Sequence, residues 1–316
     1  MKIAIIYTGE TRTIEKTIDY FKSNVLLNEN CHVFAVLQSN NVDFHDNYVK
    51  THLGDNLKSL SWFDKNNQLW CDIREHLLYN MDISEDWKNY LRNSGSMIEY
   101  YQMYLAFKEI EKIEHLYNYK YEYMMRIRCD VILTHPIYFD WYSSSINDTK
   151  EFLYKIVTIK NLTLISYDVL NIFFNTIYHQ NRINCKNITY DNHLSKNFYN
   201  LLIIKDEDEF VKAVHDFLLN GKYILTLRKN QIYMTKRSNF TNIANLGITY
   251  GSHIMKNDYW FNAESQFAQI CVENDLDVFD STTTLEGKSL YEYNELNYFN
   301  PELLKTSEFL FFIRRV

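Results

Sequence analysis

The opening of the chain constrains the fold more than any other stretch. "KIAIIY" is a short apolar run closed by the polar turn "TGET", which is how a buried strand ends. "TIEKTIDYFKSNVL" then places apolar residues at helical spacing, and "CHVFAVLQS" is a second apolar run of strand length. Strand, turn, helix and strand in this order make a βαβ unit. Such units build parallel sheets, because the crossover helix carries the chain back to start the next strand at the same end.

A second alternation follows. "SMIEYYQMYLAFKEIEKIEHLYNY" puts Met97, Tyr101, Tyr104, Leu105, Ile110 and Ile113 on the apolar side of a long helix, and Ser96 and Glu99 have capping-box spacing at its start. The helix leads directly into "YMMRIRCDVILTHP", residues 123–136, an apolar strand carrying Arg126, Arg128 and Asp130 two apart. Residues i, i+2 and i+4 share one face of a strand. Burying three such charges is costly unless each other, a metal or a charged substrate compensates them.

The rest is less regular. Residues 40–92 are polar, with one helix expected around "SEDWKNYL". After the polar break "SSSINDTK", "NLTLIS" reads as a strand and "YDVLNIFFNTIY" as a helix. "DEDEFVKAVHDFLLNGK" reads as a helix with acids in its first turn and Gly221 at its end. "KYILTLRKNQIYMTKR" supplies two short strands, and "WFNAESQFAQICVEND" an amphipathic helix. The expected fold is α/β: a mostly parallel central sheet flanked by helices, one domain over residues 1–316, with helical additions toward the C-terminus.

Charge and cysteine content exclude several functions. The formal net charge is −7, so no sequence-independent grip on nucleic acid is expected. Five separated cysteines with no CxxC pair suggest neither a zinc site nor a disulfide framework. The N-terminal apolar run is short for a signal peptide, and no apolar stretch reaches the ~18–20 residues of a membrane span. A cytoplasmic protein is expected. With seven glycines there is no Gly-rich phosphate cradle, no GxGxxG and no Walker sequence. A phosphorylated ligand would have to be met by a metal, by arginines or by a helix N-terminus.

Four places are candidates for chemistry. The first is "YTGETR" at the end of the first strand: Gly9 permits close backbone approach and Arg12 suits a phosphate. Its bland reading is an ordinary strand-to-helix turn. The second is Asp130 at the end of the arginine-bearing strand, placed to hold Mg²⁺ or Mn²⁺ against a diphosphate, with Arg126 and Arg128 compensating or reaching phosphate. The competing reading is an internal Arg–Asp salt bridge. The third is the start of the long helix, "NSGSMIEYY", whose free amides suit an anion; simple capping explains it equally well. The fourth is "YGSHIMKNDYWFNAESQF", which mixes Gly251, His253, Asp258, Trp260, Asn262 and Glu264. An aromatic ring beside carboxylates and amides suits a sugar. Glu264 or Asp258 would serve as general base, whereas Trp260, Phe261 and Phe267 equally describe a core-facing stripe.

These residues carry a resemblance. "KIAIIYTGETRTIEKTIDYFKSNV", the "SMIEYYQMYLAFKEIEK" helix and the "YEYMMRIRCDVIL" strand resemble a glycosyltransferase-like family of polysaccharide loci and giant DNA viruses. "YILTLRKNQIYMTKR" and "YWFNAESQF" look most like its viral members. The resemblance covers most of residues 1–140 and, more loosely, 220–280. It implies a GT-A-type, Rossmann-like fold using a nucleotide-sugar donor. Residues 1–142 would form the nucleotide-sugar half and 143–316 the acceptor side. Carried over by position, Thr8, Gly9 and Arg12 lie near the nucleotide and Asp130 near metal and diphosphate. The acceptor would be a glycan or glycoprotein, in viral glycan synthesis. The Asp-x-Asp that usually holds the cation is incomplete, since Arg128 and Cys129 precede Asp130. The rival expectation is a non-catalytic nucleotide- or glycan-binding module on a degenerate transferase scaffold. A third is a structural virion protein whose charges form only salt bridges.

Overall fold

The computed structural model describes residues 2–27, 30–133, 136–137, 145–176, 200–228, 230–249, 263–280 and 310–312. β1 (Ile3–Glu10), α1 (Ile14–Asn24) and β2 (Cys31–Gln38) form the expected βαβ unit, with β1 and β2 parallel from Ile3↔Cys31 to Glu10↔Gln38. β1 runs past the apolar stretch through Thr8, Gly9 and Glu10, because ladder pairing with β2 continues there. A short 3₁₀ turn, Thr11–Thr13, joins it to α1.

Residues 40–92 hold more structure than their polarity suggests: α2 (Val42–Leu53), β3 (Leu57–Trp62), α3 (Gln68–Tyr79) and the expected α4 (Glu85–Asn93). β3 is an edge strand with no fully buried residue, so it lacks the apolar run that marks a strand in sequence. α2 and α3 each bury only two residues, and each starts at an asparagine whose side chain caps it, Asn41 and Asn67.

α5 (Gly95–Tyr117) is the long central helix. The capping box expected of Ser96 and Glu99 does not form. Helical geometry begins at Gly95, so Ser96 lies inside the first turn and Glu99 is free for another partner. α5 leads into β4 (Tyr123–Arg128), which lies parallel to β1 on the side away from β2.

β5 (Val131–Leu133) pairs with β9 (Leu310–Phe312) in a separate two-stranded sheet. α6 (Ile146–Lys160) occupies part of what reads as a polar break; Ser145 and Asp148 form its capping box, a signal present in "SIND" and overlooked as loop. The strand expected at "NLTLIS" is a turn and bend linking α6 to α7 (Tyr167–Thr176). α8 (Glu207–Asn220) is capped by Asp206, as its acidic first turn suggests. Gly221 follows with extended rather than left-handed backbone, and a Cβ there would collide with the Phe217 carbonyl and ring. The helix end therefore demands glycine for close approach, not for turn geometry.

β6 (Tyr223–Arg228) and β7 (Ile232–Lys236) are the two expected short strands, and they pair antiparallel; α9 (Arg237–Thr249), α10 (Ala263–Glu273) and β8 (Asp277–Asp280) follow. The seven-stranded sheet has the order β3-β2-β1-β4-β7-β6-β8. β7 is antiparallel to β4 and to β6, while every other pairing is parallel. This is the expected α/β architecture, a mostly parallel central sheet flanked by helices. One face packs on α1, α2, α6, α7 and α8, the other on α3, α4, α5, α9 and α10. Among the described residues no helix is long and apolar enough to cross a membrane.

The strand order fixes where a ligand fits. From β1 the chain winds outward through β2 and β3, then returns to β4 on β1's other side. Connections diverge between β1 and β4, leaving a crevice beyond their carboxyl ends. Residues 8–10 and 128–130 stand at that crevice.

Candidate functional site

Residues two apart on a strand share a face, so Arg126 and Arg128 both project from the α5 side of β4. Thr8, paired in register with Arg128, projects beside them from β1. α5 answers with Glu99, one turn in from its start. Its Oε1 accepts from Arg126 Nη2 at 2.6 Å and from Asn230 Nδ2 at 2.9 Å, and its Oε2 lies 3.7 Å from Arg128 Nη1. Asn230 reaches the cluster because antiparallel β7 starts opposite Ile127, which brings the β6–β7 turn to the same edge.

Arg128 also forks onto Asp130, with Nε to Oδ1 at 2.9 Å and Nη2 to Oδ2 at 2.6 Å. Burial alone would lower the Arg128 pKa, but Asp130 and Glu99 outweigh it and raise it, so this guanidinium is permanently charged. Arg126 is 1% exposed. Among the described residues its Nε has no hydrogen-bond partner, nor do the buried Oγ1 of Thr8 and Oδ1 of Asn230. Three orphaned polar atoms at one sheet edge are uncommon, because buried polar groups are almost always hydrogen-bonded. They lie toward the carboxyl ends of β1 and β4, the switch point where open α/β sheets bind ligands.

Gly9 and Cys129 pack closely together at the carboxyl ends of β1 and β4. Gly9 has φ 130°, and a Cβ there would stand 2.9 Å from Cys129 Sγ. Cys129 donates its backbone N–H to the Thr8 carbonyl at 2.8 Å and its thiol to the Glu10 carbonyl at 3.2 Å, and its own carbonyl accepts from Thr17 Oγ1 at 2.6 Å. Burial, reinforced by Asp130, raises the thiol pKa far above its ordinary value. The residue standing before Asp130 is thus a buried thiol that burial holds in its protonated form, packed against Gly9.

The structure brings Thr8, Gly9, Arg126, Arg128 and Asp130 together. Arg12 lies at the margin, in the 3₁₀ turn after β1, half-exposed and paired to Glu10 through Nε at 3.1 Å. Asp258 lies outside the described residues, as does the Glu264 side chain, although the Glu264 backbone is the second residue of α10. The start of α10 is fixed next to the site: Ala263 accepts a 2.7 Å hydrogen bond from Tyr100, the neighbour of Glu99. Phe267 is buried, as the core-facing reading of this segment requires. Glu99 and Asn230 were not among the expected site residues. The face that α5 buries includes Gln102, Met103, Ala106 and Ile110, and Glu99 precedes the first two by three and four residues; of the apolar side read from sequence, Tyr104, Leu105 and Ile113 are only partly buried.

The metal expected at Asp130 meets an occupied carboxylate. Both Asp130 oxygens are taken by Arg128. Arg126 and Arg128 match Glu99 and Asp130 in charge, and no three His, Cys, Asp or Glu side chains converge among the described residues. Mg²⁺ and Mn²⁺ favour about six oxygens and a net negative site. As arranged, these residues do not fit a cation held by the protein alone.

No protein-family model and no curated protein matches the chain. A solved structure, that of the mannosyltransferase Ktr4p from S. cerevisiae, aligns over 88% of this chain and 68% of its own at 12% identity, with a TM-score of 0.32. At those values the likeness bears on neither chemistry nor substrate, which rest on the side chains at the β1–β4 edge.

Proposed function

We propose that this protein is a glycosyltransferase that binds a nucleotide-sugar donor in the crevice beyond β1 and β4 and passes the sugar to an acceptor hydroxyl. One observation carries the reading: two arginines and three orphaned buried polar atoms converge at the switch point of a mostly parallel sheet. Gly9 lets a nucleotide approach the backbone closely, and Arg128 faces the expected diphosphate.

In the proposed reaction the acceptor oxygen attacks the anomeric carbon. The new C–O bond forms as the bond to diphosphate breaks, and the nucleoside diphosphate leaves with that electron pair. Its developing charge falls to Arg128 and Arg126. A base removes the acceptor proton; Glu264 and Asp258 are the proposed bases. Because Asp130 is already neutralised, charge compensation by arginine stands ahead of a Mn²⁺ or Mg²⁺ ion in this scheme.

A second reading is favoured by the same pairs. Glu10, Glu99 and Asp130 are each matched to an arginine, which suits a nucleotide- or glycan-binding module that performs no transfer. Calorimetry with UDP and GDP, in EDTA and in Mn²⁺, tests what both readings share. Failure of every nucleoside diphosphate to bind would overturn both. Hydrolysis or transfer from the matching nucleotide sugar separates the enzyme from the module.

A further inference from the structure

A second feature lies at the other end of the sheet, ~17 Å away at about 3.3 Å per residue along β4. Lys236 closes β7 directly opposite Tyr123, the first residue of β4. It sits between Tyr123 and Tyr223, whose hydroxyls are 3.2 Å apart. The ammonium lies 5.4 Å over the Tyr223 ring, a modest cation–π contact. Among the described residues it has no hydrogen-bond acceptor and no counterion, although its nitrogen is buried.

An ammonium carries three donors, and leaving them unmet away from water is expensive. Desolvation pushes the Lys236 pKa down to about 8, so the side chain is still mostly cationic at neutral pH. Lys236 lines a cavity of about 1020 Å³ that opens to solvent, together with Lys120, Glu122, Arg237 and Ser238. Arg237 is committed elsewhere: Nε and Nη2 hold the Glu114 carboxylate at 2.8 and 2.7 Å, and the guanidinium packs over Phe107. Lys120 has no ion-pair partner among the described residues. Glu122 is the one carboxylate in the lining, and it accepts the Lys2 backbone N–H at 3.2 Å. The cavity is therefore lined by two lysines that have no ion-pair partner among the described residues, the deeper one, Lys236, set against an aromatic wall.

We infer that this cavity is a second binding site, distinct from the β1–β4 crevice, that takes a small oxyanion-bearing ligand, a carboxylate or phosphate, on Lys236 and Lys120. The ligand supplies the acceptors that Lys236 lacks, while Tyr123 and Leu219 give its apolar part a surface.

The test uses the full chain with inorganic phosphate and acetate as probes, which also tells the two oxyanions apart. Calorimetry on the native protein and Lys236→Met is expected to show saturable binding of one probe, weakened roughly tenfold or more by the substitution. Lys120→Met should weaken it less, and UDP or GDP affinity should not change in Lys236→Met. Equal binding by native protein and Lys236→Met, or no saturable binding of either probe, overturns the site. If Lys236→Met fails to fold, Nζ of Lys236 is followed by NMR in the native chain. Its titration midpoint should rise from about 8 when a probe is added, and an unmoved midpoint is equally fatal. Phosphate bound in the β1–β4 crevice would leave that midpoint unmoved.

Discussion

Arg126 and Glu99 meet at 2.6 Å across the interface between β4 and α5, with the arginine side chain 1% and the glutamate 14% exposed. The pair ties the central helix to the central sheet at the edge where a ligand is proposed to bind. Removing Glu99 leaves a buried guanidinium without its countercharge. Glu99→Ala should therefore cost about 3 kcal/mol in urea unfolding. Asn230→Ala, losing one hydrogen bond to the same oxygen, should cost about 1 kcal/mol. The apolar pair Glu99→Leu with Arg126→Met should recover most of the stability and lose nucleotide binding. Retained binding in that double variant would show the pair to be structural only.

Asp130 gives a prediction whose sign distinguishes arginine from metal. Asp130→Asn releases Arg128 from its fork and adds net positive charge beside the proposed diphosphate. In EDTA, UDP or GDP should then bind a few-fold more tightly, since a fixed cation near a phosphate favours binding. A carboxylate-held cation predicts the reverse, with weaker binding in Mn²⁺. Calorimetry of the native protein and the variant, each in EDTA and in Mn²⁺, reads the direction.

Gly9→Ala tests the packing of Gly9 against Cys129. Alanine at φ 130° is strained, and its Cβ would stand 2.9 Å from Cys129 Sγ. A cost of roughly 1–3 kcal/mol is expected from the backbone alone. Cys129→Ala removes the contact but not the backbone strain, so Gly9→Ala should cost less in that background. A double-mutant cycle measures the difference; no coupling would mean that the thiol is not what limits this position.

Lys236 predicts a pH dependence. Its folded pKa of about 8 lies below the ordinary lysine value of about 10.4. Between these values the unfolded chain binds more protons, so this group makes stability rise with pH there, and its full penalty acts below pH ~8. Lys236→Met should raise the melting temperature at pH 7 by about 2–4 °C, after discount for partial exposure. The advantage should shrink as pH rises toward 9.5. Differential scanning calorimetry at pH 7, 8.5 and 9.5 checks it, and a pH-independent difference would refute the assignment.

The sequence by itself determined the elements whose burial is periodic. The β1–α1–β2 unit, α5, β4, β6, β7 and α8 all carry their pattern in adjacent residues. So does the placing of Thr8, Gly9, Arg126, Arg128 and Asp130 at strand ends, because a strand's end is marked locally by the loss of apolar residues. What lay opposite those charges was decided only by tertiary structure. Glu99 reaches Arg126 across 27 residues and Asn230 reaches Glu99 across 131, and no local pattern encodes a partner that distant. The same holds for β3, which pairs at the edge of the sheet without an apolar run of its own. Local hydrophobic period records which way a side chain faces. Which charge it then meets depends on how the sheet is ordered and which helix covers it.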